Sequence, residues 1–149
     1  MNWLSNLRAN ETGSVVIETA FVAPILAILG FGAFEASMLV SRHNELQVAA
    51  AEAAAIVLAR PPEDQTARNT IEGIVESSTG LAADKVSFAL KYRCNANTTL
   101  VNSDTACGSS DVISEYIVVT MTDSYTPTWA SFGIGSTVNF SVERRVQIS

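Results

Sequence analysis

Histidine is almost missing from this chain of 149 residues: His43 is the only one, set between Arg42 and Asn44 and far from any nucleophile pattern. A solvated histidine is the plain reading, because a general base needs a nucleophile or an orienting acid beside it. No nucleophile motif and no glycine-rich phosphate loop occurs either, so no catalytic residue is assigned. Basic charge is also scarce. Nine Lys and Arg stand against fifteen Asp and Glu, giving a net charge of -6 and a pI near 4.6. The nine are scattered, whereas a phosphate backbone is held by clustered cations, so nucleic acid is excluded as a partner. The acids are scattered as well, which fits a solvated outer surface.

Charge is scarcest near the start. Between Val15 and Val40 only Glu18 and Glu35 are charged. A bilayer core takes about 20 mostly apolar residues in a helix, and this stretch supplies them. An ordinary secretory signal fits poorly, since its apolar core is shorter and ends at a small-x-small cleavage site. Ahead of the run lies a short polar segment, Met1 to Thr12, with Arg8 as its only basic side chain and with Trp3, Leu4 and Leu7 suited to a membrane interface. Beyond the run, Leu46, Ala49, Ala50, Ala53, Ile56 and Val57 keep helical spacing. Alanine-rich Ala49 to Ala55 favours helix strongly. Pro61-Pro62 stops it. Ser14 to Ala59 as one helix spans about 70 Å, with Pro24, Gly30 and Gly32 as places for a bend. The small residues suit packing on other helices or on the chain's own domain.

The ordered set Gly13-Ser14-Val15-Val16-Ile17-Glu18, Pro24 within the run, Phe34-Glu35 near its end and Ala50-Ala51-Glu52-Ala53-Ala54 beyond it resembles the TadE-like family. The resemblance covers roughly residues 9 to 60. Those proteins are minor pilins, or pseudopilins, of the tight-adherence (Tad/Flp) type IV pilus system. A TadF-like sibling shares much of the same pattern. Ser14 stands where many type IV pilins begin with phenylalanine, and Thr19 stands where the far shorter major Flp pilin has tyrosine. These departures, with the large C-terminal part, point to a minor subunit.

The resemblance implies a prepilin leader at residues 1–13, a transmembrane pilin-type helix at 14–60 and an exported domain at 61–149. It implies cleavage after Gly13 by a prepilin peptidase of which this chain is only the substrate, with Gly13, Ser14 and Glu18 as the processing site. It places Pro24, Glu35, Ala50 and Ala53 in helix packing. The implied partners are the peptidase, other Tad pilins, the pilus assembly platform and the bacterial inner membrane. The C-terminal domain is then periplasmic, and after processing the subunit reaches the pilus or cell surface, where adhesion is the output. Chemistry agrees with these roles. Glycine before the scissile bond admits extended geometry in a protease cleft. Glu18 costs about 2.5–3.5 kcal/mol in mid-bilayer, and its natural partner in a filament is the amine that cleavage creates. The rival reading is an uncleaved, signal-anchored periplasmic domain that binds a ligand or scaffolds an envelope complex.

The remainder reads as α+β: the long N-terminal helix with a small antiparallel β-sheet domain. Pro61 to Ala67 is expected to be a loop and Arg68 to Ser78 a short helix burying Ile71, Ile74 and Val75, capped by Gly80. Val86 to Tyr92 alternates as a strand, Tyr116 to Met121 reads as a central strand, and Val138 to Val146 alternates again. Two cysteines, Cys94 and Cys107, occur in a chain with an export signal, which favours a disulfide worth about 3 kcal/mol. A metal site needs more ligands than this pair offers, and neither metal nor cofactor is assigned. Asp84, Asp104 and Asp111 read as turn acids, with calcium in the Asp104–Asp111 loop as the minor alternative. Trp129 and Phe132 are expected in the core rather than as an exposed contact for a partner subunit.

Overall fold

The computed structural model describes residues 12–149. Most of the expected leader, including Trp3, Leu4, Leu7 and Arg8, lies outside the described residues. The fold is built from helix α1 (Thr12–Ala59), helix α2 (Gln65–Thr79) and strands β1 (Val86–Cys94), β2 (Ile113–Tyr125) and β3 (Val138–Gln147). Short 3-10 turns occur at Ala83–Lys85, Asp104–Ala106 and Thr128–Phe132. Contacts divide the chain into two units, Met1–Val40 and Ser41–Ser149.

In the first unit every described residue is helical. The helix passes through Pro24, whose missing amide costs one ladder bond but not the helix. Large apolar side chains from Val15 to Phe34 are exposed on all sides, Phe21 and Ile28 at 72% each. Helices apolar all round belong in lipid or among other helices, and α1 is long and apolar enough to cross a membrane.

In the second unit the rest of α1 is amphipathic. Leu46, Ala50, Ala53 and Val57 form one buried stripe, with Ala50 and Val57 at 0% exposure. They pack in one core with Val75 and Leu81, with Val86 and Phe88 of β1, with Ile117, Val119 and Met121 of β2, and with Val142 and Val146 of β3. Arg60 closes the final turn on Ile56 at 3.0 Å, and the two prolines stop the helix.

The loop expected at Pro61 to Ala67 is shorter than that. Helix α2 starts at Gln65 because Asp64 caps it, its carboxylate accepting from the Ala67 amide at 2.7 Å. Gly80 ends it in the left-handed region at φ 68°, its N–H donating to the Glu76 carbonyl. The buried face matches the expected one at Val75 and at Ile71, which packs on the core, but not at Ile74. Arg68 and Val75 are inside, while Ile74 is 54% exposed. Spacing alone allows either face, and docking on the sheet selects the one carrying Arg68 and Val75.

The sheet is three-stranded and antiparallel in the order β1-β2-β3. Its register sets Phe88 opposite Val119, Leu90 opposite Ile117 and Ile117 opposite Val146. All of these share the face that meets the helices. The other face carries Lys91, Arg93, Tyr116, Val118 and Arg145, as period-two alternation requires. There the Arg93 guanidinium lies 5.1 Å from the Tyr116 ring centre.

At one end of the sheet Cys94 and Cys107 are joined by a disulfide, with Cα atoms 5.4 Å apart. Asn95 supports the turn with φ 56°, donating its N–H to Val112 O at 2.7 Å, while its side-chain oxygen accepts from the Val112 N–H at 2.9 Å. The loop is held further by the bridge between Tyr92 and Val101. The double replacement Cys94→Ser, Cys107→Ser is expected to lower unfolding stability by about 3 kcal/mol on the loop-entropy scale. The denaturant midpoint of the detergent-solubilised chain measures it, and an unchanged midpoint would refute the expectation.

Candidate functional site

The candidate site lies on the N-terminal half of α1. Gly13 and Ser14 fall within its first turn, so the peptide bond between them is helical here. A peptidase needs that bond extended. The first turn is the part of a helix that yields most readily, because its N–H groups have no partners within the helix. Glu18 follows Ser14 by four residues, about 6 Å further along the axis. Glu18 is exposed. The neighbouring Thr19 hydroxyl donates to the Val15 carbonyl at 2.8 Å, which satisfies this polar group inside its own helix.

Three kinds of surface follow along the same helix. Pro24 is exposed among apolar neighbours. Glu35, the second acid of the apolar stretch, is 2% exposed and engaged in an interaction. Ala50 and Ala53 are buried in the core of the second unit. On the opposite side of that part of α1, Val48 is 57% and Leu58 63% exposed, with Ala51 and Ala55 between them at helical spacing. The helix thus has one stripe committed to its own domain and a second, apolar one that is open.

The second unit offers little for chemistry. His43 is half-buried, not fully solvated: its ring centre stands 5.9 Å from that of Phe140, and Gln47 hydrogen-bonds Nε2 at 2.8 Å. Asp111 accepts from the Gly108 N–H at 2.8 Å and from the Asn95 amide, and Asp104 accepts from the Thr105 N–H at 2.8 Å. Both acids serve as local turn caps. Cys94 and Cys107 lie close enough to Asp111 to form a three-ligand group, but their sulfurs are bonded to each other. The Glu72 carboxyl is held above the usual range, first by burial and then by Glu76 one turn away. That is a like-charge pair on a helix surface rather than a tuned acid in a cleft.

One expected core residue is not in the core. Phe132 is 77% exposed and Trp129 only half-buried. They lie on the connection between β2 and β3, where burial depends on the loop's path and not on strand alternation. Its cue in the sequence is a lack of charge from Thr126 to Val138.

Comparison with curated proteins and with solved structures finds no match to this chain. A family model does match, over residues 13–55, from the glycine before Ser14 through the alanine-rich part of α1. Over that segment the chain is similar to the family described as TadE-like protein.

Proposed function

We propose that this chain is a minor pilin, or pseudopilin, cut by a prepilin peptidase after Gly13 and used in building a Tad-type pilus for surface adhesion. The observation that carries the reading is the coincidence of the family match with an apolar helix exposed on every side. That match begins at Gly13, and the large side chains from Val15 to Phe34 are uncovered. Such a surface is stable only in lipid or against other helices, and a pilin uses both in turn. Since Leu46 and Ala50 are buried in the domain core, the membrane-spanning part is the stretch before Ser41. The N-terminus is then cytoplasmic and the sheet domain periplasmic.

After cleavage the new amine of Ser14 and the carboxylate of Glu18 are the two charges of the apolar segment's first turns. Pairing between neighbouring subunits sets axial register, a role suited to buried polar groups. Further partners are the other pilins and the assembly platform in the inner membrane. No step of this role needs a nucleophile or a cofactor from this chain.

The test is intact mass with N-terminal sequencing of the protein from cells with and without their prepilin peptidase. A start at Ser14 that depends on the peptidase is expected. A start at Met1 in both strains overturns the proposal and leaves the signal-anchored binding or scaffolding domain.

A further inference from the structure

We infer that the loop between β2 and β3 rests on the lipid surface, with Phe132 and Ile134 inserted among the headgroups and upper acyl chains and Trp129 at the interface. The inference depends on the reading that residues 15–40 cross a bilayer.

The loop is a preformed projection. Its base is closed by the hydroxyls of Thr126 and Thr137 at 2.8 Å and by buried Pro127. Above the base, the amides of Ala130 and Gly133 donate to Pro127 O and Ala130 O, and Ile134 donates to Trp129 O at 3.2 Å. Gly133 and Gly135 have φ of 77° and 79°, conformations open to glycine and strained for larger residues. The indole of Trp129 lies over Gly135, where an added Cβ would stand 3.2 Å from Nε1. The backbone therefore turns back sharply and points Phe132 and Ile134 outward, 77% and 67% exposed.

Three observations select lipid as the occupant. The loop carries no charge from Thr126 to Val138 in a chain with a net charge of -6, which suits a surface that must shed water. Its three large side chains are Trp, Phe and Ile, the kinds that fill the interfacial and upper acyl zones of a membrane. The third is position. Arg42 donates from Nε to the Asp123 carboxylate at 2.5 Å, and the His43 ring lies tilted against that of Phe140, centres 5.9 Å apart. Asp123 and Phe140 are partners in register at the end of the sheet where the loop begins and returns. Arg42 follows the apolar stretch by two residues in sequence. The loop thus leaves the domain at the end where Arg42 and His43 pack. The opposite end holds the disulfide loop, rich in Asn, Ser and Thr and carrying Asp104 and Asp111. A neighbouring pilin subunit is the rival occupant.

Quenching of tryptophan fluorescence by brominated phosphatidylcholine tests this in the whole chain reconstituted in vesicles. Trp3→Phe makes Trp129 the sole tryptophan, whether or not the leader is removed. In a parallel protein, Trp3→Phe, Trp129→Phe and Phe21→Trp place the reporter in the apolar helix. Both reporters are expected to be quenched, Trp129 more by bromine near the headgroup than near the chain end. Adding Phe132→Ser and Ile134→Ser is expected to reduce quenching of Trp129 several-fold. Both side chains are exposed, so the domain keeps its fold, which an unchanged circular dichroism spectrum verifies. Quenching at position 21 with none at Trp129 overturns the inference, leaves the membrane reading intact and assigns the loop to a neighbouring subunit. No quenching at position 21 overturns the membrane reading and the inference with it.

Discussion

Ile117→Ala is expected to cost the sheet domain about 4 kcal/mol, in the upper half of the range for large-to-small core changes. Ile117 is fully buried in the central strand, between Leu90 on β1 and Val146 on β3. Both flanking strands are held in register by the ladder, so they have little freedom to collapse into the cavity left by the lost atoms. A domain of this size commonly has only 5–15 kcal/mol in total, so about 4 removes a large share. Denaturant unfolding of the detergent-solubilised chain, followed by near-ultraviolet circular dichroism, measures the loss. Val112→Ala is the matched control: Val112 is 72% exposed, and its loss is expected within about 0.5 kcal/mol. If both variants shift the midpoint alike, Ile117 does not hold the core as described.

The reason this core could be read from sequence is that strand alternation and helix periodicity both record burial directly. Val86, Phe88 and Leu90 alternate, β2 carries a β-prone run from Tyr116 to Met121, and Leu46, Ala50, Ala53 and Val57 repeat at helical spacing. Each pattern follows from a face being covered, whatever covers it. What was not legible depends on docking. Of the apolar face Ile71, Ile74 and Val75 of α2, Val75 is buried and Ile71 packs on the core, while Ile74 is exposed and Arg68 lies inside. A short helix with apolar residues at 71, 74 and 75 fits either orientation, and only the sheet decides between them. The start of α2 was misplaced for a different reason: the cap at Asp64 lies directly after Pro61, Pro62 and Glu63, where proline reads first as a loop signal.

The candidate site divides in the same way. Glu18 and the apolar run are legible because an acid in such a stretch is conspicuous by its cost. The burial of Glu35, the second apolar stripe of α1 and the outward aim of Phe132 are tertiary facts. Phe132 and Trp129 show the weakness most clearly. Aromatic residues are usually placed inside, and only the missing charge around them hinted that this loop meets something other than water.

Gly13→Val is expected to abolish processing, so that residues 1–13 stay attached even in cells with an active peptidase. A β-branched side chain before the scissile bond restricts the backbone and crowds the protease cleft, whereas glycine leaves it free. Unwinding the first helical turn, which cleavage requires, is not made easier by the change. Glu18→Ala separates processing from assembly. It leaves Gly13 and Ser14 intact, so N-terminal sequencing should still read Ser14. It also removes a charge that costs about 2.5–3.5 kcal/mol in mid-membrane, so insertion becomes more favourable, not less. Loss of the Glu18→Ala protein from sheared surface fibres, with the processed form accumulating in membranes, is therefore the expected result and points to the lost pairing with the Ser14 amine. If Glu18→Ala enters fibres as the parent chain does, Glu18 is only an interfacial acid and register is set elsewhere along the helix. If Gly13→Val is still cut at Ser14, the glycine is not what the peptidase reads.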